Sequence, residues 1–518
     1  MHSRLPTFAV LGIDALPIDV EVDCQDANSM DTAVWTIVGL GDAAVKESRE
    51  RVKAALKNSG FSVSQRRVTV NLAPADVRKM GAHYDLPIAL GVLTSTARIP
   101  PERAARYAAV GELGLDGGIK AVPGALSMAV GAARARLDGL IVPEDNAQEA
   151  AFVAETAVIP VRSLVEAVGF LRGELEIAPA RPAPAAEGNG ARDPWNGVDM
   201  RDVRGQENAK RALEISAAGG HNLLLIGAPG SGKTMLAKRL PTILPEMTFG
   251  ESLETTKIFS IAGQLDRREG LIRRRPFRSP HHTASSAAII GGTASPRPGE
   301  VSLAHNGVLF LDEFPEFDRR VLEVLRQPLE DGVVQISRAQ LSLSFPANFI
   351  LFAAMNPCPC GYFGAERGER RCTCNPMQIT RYRGKISGPL LDRIDLHVDV
   401  APVAIEDLHR RAEGEPSKTV RARVQSARAR QQERFRDRES LHCNAQMLPA
   451  DMRRFCELDG PSEALLEQAM KALDLSARAY DRILKVARTI ADLDGRDAIA
   501  PEHISEAVGY RTLDRGVG

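Results

Sequence analysis

Long apolar runs are missing from this chain, and none approaches the roughly 20 residues of a membrane-spanning helix. The opening Met1-His-Ser-Arg-Leu-Pro also lacks the apolar centre of a secretory leader. Cysteine is scarce, with seven among 518 residues. That excludes a secreted disulfide scaffold and makes a reducing cytoplasm the expected setting. Net charge is absent as well, since 66 basic side chains balance 66 acidic ones. Any affinity for nucleic acid must therefore come from local basic patches. Tandem repeats at solenoid periods are not found. The chain is too long for a single core, and roughly two to four domains are expected.

Residues 1–172 alternate short β-like runs, such as Val68–Leu72, with amphipathic helices, such as Ala43–Asn58. Residues 173–197 are rich in proline, alanine and glycine and read as a linker. From 198 to 400 the pattern is βα alternation, with buried parallel strands expected at Leu223–Ile226, Val308–Leu311 and Phe349–Ala354. Residues 401–518 are helical, basic and rich in alanine. The expected fold class is multidomain α/β, with a parallel-sheet core and a helical C-terminal part.

The densest chemistry lies in Gly227-Ala-Pro229-Gly230-Ser231-Gly232-Lys233-Thr234, between an apolar strand and a helix. This is the context a P-loop requires. Its glycines let backbone amides turn inward around phosphate oxygens, and the following helix points its positive end at the same anion. Lys233 supplies a charge for the β- and γ-phosphates, and Thr234 a hydroxyl for Mg²⁺. Val308–Leu311 ends in Asp312-Glu313. Asp312 is expected to hold the Mg²⁺ of bound ATP, and Glu313 to orient or deprotonate the attacking water. A second apolar strand ends in Asn356, whose amide suits a sensor of the γ-phosphate; a simple turn before Pro357 is the alternative. Arg393, in Leu390-Leu-Asp-Arg-Ile-Asp395, can reach a neighbouring subunit's nucleotide or pair locally with Asp392 or Asp395. Arg478 is the candidate lid sensor, with Arg482 as its competitor.

Together these elements resemble the AAA+ ATPases. The more specific likeness is to the clade of MCM helicases, the magnesium chelatase ATPase subunit and the ComM/YifB competence family. The adenine-side stretch Arg204–Glu214, the segments Thr283–Ala288 and Gly299–His305 as a helix-2 insert, and Arg393 as an arginine finger carry it. The likeness to ComM/YifB spans nearly the whole chain. It implies a homo-hexameric, ATP-driven DNA motor that acts on recombination intermediates during natural transformation, with recombination proteins as further partners. By the same resemblance, Val333–Phe345 is a pre-sensor-1 hairpin whose Arg338 contacts the DNA backbone, and 401–518 is the helical lid. The basic run Arg273–Thr283 offers Arg274, Arg275 and Arg278 as further contacts to single-stranded or branched DNA; a solvated loop is the alternative. The arginines of Arg421–Arg438 read as a solvated helix face.

Cys358, Cys360, Cys372 and Cys374 form two Cys-X-Cys pairs separated by eleven residues. Four thiolates so close can close a tetrahedral shell around Zn²⁺; free thiols or a redox-labile pair are the alternatives. His281 and His282 are further candidate ligands. Cys24, Cys443 and Cys456 are isolated and read as packing residues.

The first region resembles the Lon protease domain, with its S5-like α+β fold, through Val68–Leu72, Gly81–Leu90 and Val110–Lys120. That family cleaves peptides with a Ser–Lys pair. Here no serine lies between Gln65 and Thr94, Asp85 stands near the nucleophile's place, and Val122 replaces the lysine, with Lys120 two residues early. A protease is thus disfavoured. Metal insertion into a tetrapyrrole is the second reading of the ATPase core; a Lon-like N-terminal region is not expected of that subunit.

Overall fold

The computed structural model describes residues 2–26, 34–63, 66–182, 195–266, 270–292, 297–338, 341–364, 371–401, 414–438 and 441–511. The chain divides into two compact units. One comprises Met1–Ala191 and Ser252–Ile272; the other comprises Arg192–Glu251 and Arg273–Gly518.

In the first unit, His2–Leu11, Asp14–Asp26, Arg66–Ala73 and Trp35–Val38 lie side by side in that order, with only the last pair parallel. The helix Asp85–Ser95 is buried along its whole length. A smaller parallel sheet orders Tyr107–Ala109, Gly139–Pro143 and Ala157–Val161. Asp85 is fully buried, and Arg51 grips both of its oxygens at 2.7 and 3.0 Å. The Leu113 amide donates to the same carboxylate at 3.2 Å. Lys120 is exposed and faces Glu112, and Val122 is buried. A buried carboxylate paired in this way is held in place by its partners.

Ser252–Ile272 falls in this unit although its sequence neighbours do not. Its first half belongs to the helix Phe249–Ala262. Leu253 joins the apolar cluster of Phe8, Val110 and Leu126, and Ser260 accepts a hydrogen bond from the Gly124 amide at 3.0 Å. The start of the expected linker is also packed here, because the Ala180 amide donates to Val158 at 2.8 Å. Linker residues 183–194 lie outside the described residues.

The second unit is built on a five-stranded sheet, all parallel, ordered Phe277–Arg278, Val308–Leu311, Ile350–Met355, Leu223–Ile226, Leu396–Asp399. The three central strands are apolar and buried on both faces, as strands covered by helices must be. The P-loop strand lies between the last two strands of the sequence, at the point where strand order reverses. In such sheets ligands bind beyond the C-terminal strand ends at that point.

The C-terminal helices Ser417–Arg434, Ala477–Leu493 and Pro501–Gly509 share one core with this sheet. They do not form a separate unit. Asp395 ties the two parts together: it is buried, accepts from Arg482 at 2.5 Å and from the Asn222 amide at 2.9 Å, and lies beside His221. Burial alone would raise its pKa, but Arg482 and His221 hold it far below the usual carboxylate range.

The basic helix departs from the solvated face read in the sequence. Arg428 is buried and donates to the carbonyls of Ala217 and Ala218, both at 3.1 Å. Those carbonyls end the helix Glu207–Gly219, where they have no helical partner and carry its negative pole. Arg434 clasps Asp492, and Arg423 reaches Glu214 and Glu415.

Candidate nucleotide site and its neighbours

The turn after Leu223–Ile226 takes positive φ at Gly230 (+80°) and Gly232 (+89°), which side chains resist. A Cβ at Gly230 would meet nothing within 4 Å, so the turn leaves an open cradle. At Gly227 a Cβ would strike the Val400 carbonyl at 2.6 Å. The Gln206 amide steadies the turn by donating to the Ser231 carbonyl at 2.6 Å. Pro229 sits in the same turn, against the backbone of Gly361.

Lys233 opens the helix Lys233–Ala237 and is buried. Its Nζ donates to the carbonyls of Gly227 at 2.7 Å and Ala228 at 3.1 Å, and to Asn356 Oδ1 at 3.2 Å. Burial lowers its pKa, with Asp312 pulling the other way. Asn356 follows the strand Ile350–Met355, so adjacent parallel strands deliver the lysine and the amide to one point. Thr234 Oγ1 donates to Asp312 Oδ2 at 2.7 Å, and the Glu313 amide donates to Asp312 Oδ1 at 2.9 Å. A hydroxyl and a carboxylate side by side, next to a phosphate cradle, are the donor set a magnesium nucleotide needs.

Glu313 occupies the left-handed region, at φ +52°, and its side chain is exposed. Its oxygen lies 3.2 Å from His282 Nδ1. The sequence offered His282 only as a metal ligand. Its role beside Glu313 depends on Phe277–Arg278 pairing with Val308–Leu311, which no local pattern reveals. His281 bonds Thr283 instead.

Arg393 is buried, bound to Glu330 and donating to the Pro389 carbonyl at 2.6 Å. Neither carboxylate expected from the sequence is its partner. Burial lowers its pKa, helped by nearby Arg326, Arg478 and Arg482. Arg478 is exposed and only loosely paired with Asp392, at 3.6 Å. Arg482 is locked on buried Asp395, so of the two lid candidates Arg478 is the one left available to a ligand.

The basic loop is less free than its composition suggested. Arg275 is partly buried and bonded to the carbonyls of Pro245, Asn306 and Glu246 and to the Glu251 carboxylate. Arg278 forms two 2.7 Å bonds to Glu300. Arg274 is exposed. The expected hairpin is present as Val333–Arg338 paired antiparallel with Leu341–Pro346. Its turn, 339–340, and the Arg338 side chain lie outside the described part.

The four cysteines converge, with every pair of Sγ atoms within 4.8 Å. Cys358 lies 3.3 Å from Cys360 and 3.7 Å from Cys372, and Cys360 lies 3.6 Å from Cys372. A tetrahedron of ~2.3 Å zinc–sulfur bonds spaces its sulfurs ~3.8 Å apart, so the set fits. The Phe363 amide donates to Cys358 Sγ at 3.3 Å. The Tyr362 and Thr373 amides pull the Cys360 thiol down to about 6.

Three family profiles match the chain. They are described as magnesium chelatase subunit ChlI over residues 199–408, subunit ChlI of Mg-chelatase over 20–146, and the ChlI C-terminal region over 414–511. The second match reaches into the N-terminal unit, so that unit does not by itself separate this chain from the chelatase subunit. Among curated relatives, YifB of Salmonella typhimurium is 44% identical over 511 residues, covering 98% of this chain and 97% of its own. Competence protein ComM of Haemophilus influenzae is 42% identical over 508 residues, covering 98% and 97%. The magnesium-chelatase subunit ChlI of Chlorella vulgaris is more distant, at 23% identity, and covers 59% of this chain. With end-to-end identity of this size and an unbroken P-loop site, this chain belongs to the ComM/YifB family of magnesium chelatase-like proteins.

Proposed function

We propose that this protein is an ATP-hydrolysing, ring-forming DNA motor that acts on recombination intermediates, with a role in the uptake of transforming DNA. The observation that carries the reading is the convergence of Lys233, Thr234, Asp312, Glu313 and Asn356 at the ends of three adjacent parallel strands. The likeness to a competence protein over the full length supports the choice of DNA as substrate.

In this reading, the amides of Gly230–Thr234 and Lys233 hold the phosphates of ATP. Thr234 and Asp312 would hold Mg²⁺, which would supply positive charge to offset that of the phosphates. Asn356 positions the γ-phosphate, and Glu313 takes the proton from the attacking water. Arg393 from the next subunit stabilises transition-state charge. Arg478, beside Arg393, serves the same neighbouring pocket. The hairpin ending in Arg338 carries DNA through the ring, and Arg274 is an auxiliary contact. Zn²⁺ on the four cysteines is structural.

The direct test is ATP turnover with and without single-stranded or forked DNA; stimulation is expected. Absence of stimulation by any DNA, with stimulation by a tetrapyrrole-loaded partner, would favour metal insertion instead. The shared ChlI profiles keep that second reading in view. The N-terminal unit, whose Asp85 is neutralised by Arg51, serves assembly or DNA contact and not proteolysis.

Two smaller effects follow. His282→Ala removes the partner that holds Glu313. A partly exposed polar contact of this kind is worth about 1 kcal/mol, so basal turnover should rise up to ~fivefold, with ATP affinity unchanged. A fall in turnover would make His282 part of the catalytic set. Arg338→Ala should weaken DNA binding and lower the salt dependence of log K by about one per contacted phosphate, while basal ATPase persists. Equal affinity and equal salt slope would reduce the hairpin to scaffold.

A further inference from the structure

We propose that zinc at Cys358, Cys360, Cys372 and Cys374 props the phosphate-binding turn, so that metal loading sets the affinity for ATP. The inference rests on the ATPase and zinc readings above and adds a regulatory link between them.

The link is short and stiff. Cys358 and Cys360 lie within Asn356-Pro-Cys-Pro-Cys-Gly361, where two prolines fix the backbone around the ligands. At one end, Asn356 accepts from Lys233 Nζ at 3.2 Å. At the other, Gly361 closes a turn by donating to the Cys358 carbonyl at 3.0 Å. Gly361 has φ +88°, and a Cβ there would lie 2.6 Å from Pro229 Cδ. Its backbone therefore packs directly on the P-loop. Within six residues, the same segment supplies two metal ligands, a lysine partner and a contact to the P-loop residue Pro229.

The other two ligands fix the segment from outside. Cys374 precedes Asn375, which caps the helix Pro376–Arg383. Arg383 at the end of that helix donates to the Pro357 carbonyl at 3.2 Å and lies over the Phe363 ring. A metal ion bonded to both Cys-X-Cys pairs closes this circuit. Without it, the Asn356–Gly361 segment keeps its helix-side bond but loses the cross-link that presses Gly361 against Pro229. Lys233 and Pro229 then lose their fixed neighbours together.

The test uses the full-length protein. Bound zinc is counted by elemental analysis, and ATP affinity is read with a fluorescent ATP analogue, before and after metal removal and after adding zinc back. About one zinc per chain is expected. Removal should weaken analogue binding about tenfold, the size of one lost charge-assisted hydrogen bond, and added zinc should restore it. Gly361→Ala should keep its zinc and show a similar loss of affinity, because the new methyl pushes on Pro229. If circular dichroism shows that the metal-free protein unfolds, Gly361→Ala decides alone. Zinc-loaded and metal-free protein binding the analogue alike, or Gly361→Ala binding as the parent does, overturns the prop. Failure of zinc to bind at all removes the zinc reading and the inference with it, and the metal count identifies that case. Failure of the zinc-loaded parent to bind the analogue removes the ATPase reading instead.

Discussion

Glu313→Gln should yield a protein that binds ATP, assembles normally and barely turns over. A positioned general base contributes about 10²- to 10⁴-fold, and the amide cannot take a proton. Everything else in the pocket should survive. Asp312 is fixed independently, by Thr234 on one oxygen and by a backbone amide on the other. Lys233 is held by two carbonyls and Asn356. The Glu313 backbone is already in the left-handed region, a cost that any residue there shares and that tends to collect at functional sites. Glutamine keeps the length and can still meet His282. Steady-state turnover, affinity for an ATP analogue and mass by light scattering separate the three properties. Normal turnover in the variant would take Glu313 out of the catalytic role. Loss of nucleotide binding would instead mean that its charge is part of the metal site.

Sequence alone revealed what is built from contiguous residues. The apolar strand, glycine turn and lysine of the P-loop are neighbours in the chain, and so are Val308–Leu311 and the two acids that follow it. Burial on both faces forces those strands to be apolar throughout, and that is why they were visible. Side-chain partners were less legible. Arg275 and Arg278 look like free cations in the sequence, yet Glu251 and Glu300 lie 24 and 22 residues away and hold them. Arg428 reads as a solvated position on a basic helix, yet it satisfies carbonyls about 210 residues earlier. A charged residue carries no local mark of whether water or a helix end will receive it. The partner of Glu313 and the contact of Gly361 with Pro229 were hidden for the same reason. Each depends on which strands and turns become neighbours, and strand order is not written in any single segment.

Arg393→Ala should lower turnover by about 10³-fold or more, the scale of an arginine finger, with ATP binding intact. The geometry makes this a demanding prediction, because Arg393 is bound to Glu330 and the Pro389 carbonyl of its own chain. Two functions are therefore possible for one guanidinium: holding its own subunit together, or completing a neighbour's pocket by exchanging Glu330 for a phosphate. Mixing subunits separates them. Lys233→Ala subunits cannot hold nucleotide but still carry Arg393; Arg393→Ala subunits hold nucleotide but lack the finger. In a randomly mixed ring, roughly a quarter of the interfaces join an intact Lys233 to an intact Arg393 from the other variant. Activity should then rise well above that of either variant alone. If Arg393 serves only its own subunit, no mixture can recover, and the variant should show a lowered melting temperature from the unpaired Glu330 and the vacated buried site. Recovery on mixing, with an unchanged melting temperature, puts the finger in the neighbour's pocket. The exposed, loosely held Arg478 beside it should then behave the same way, with a smaller loss, since it starts from a site where water already competes for its charge.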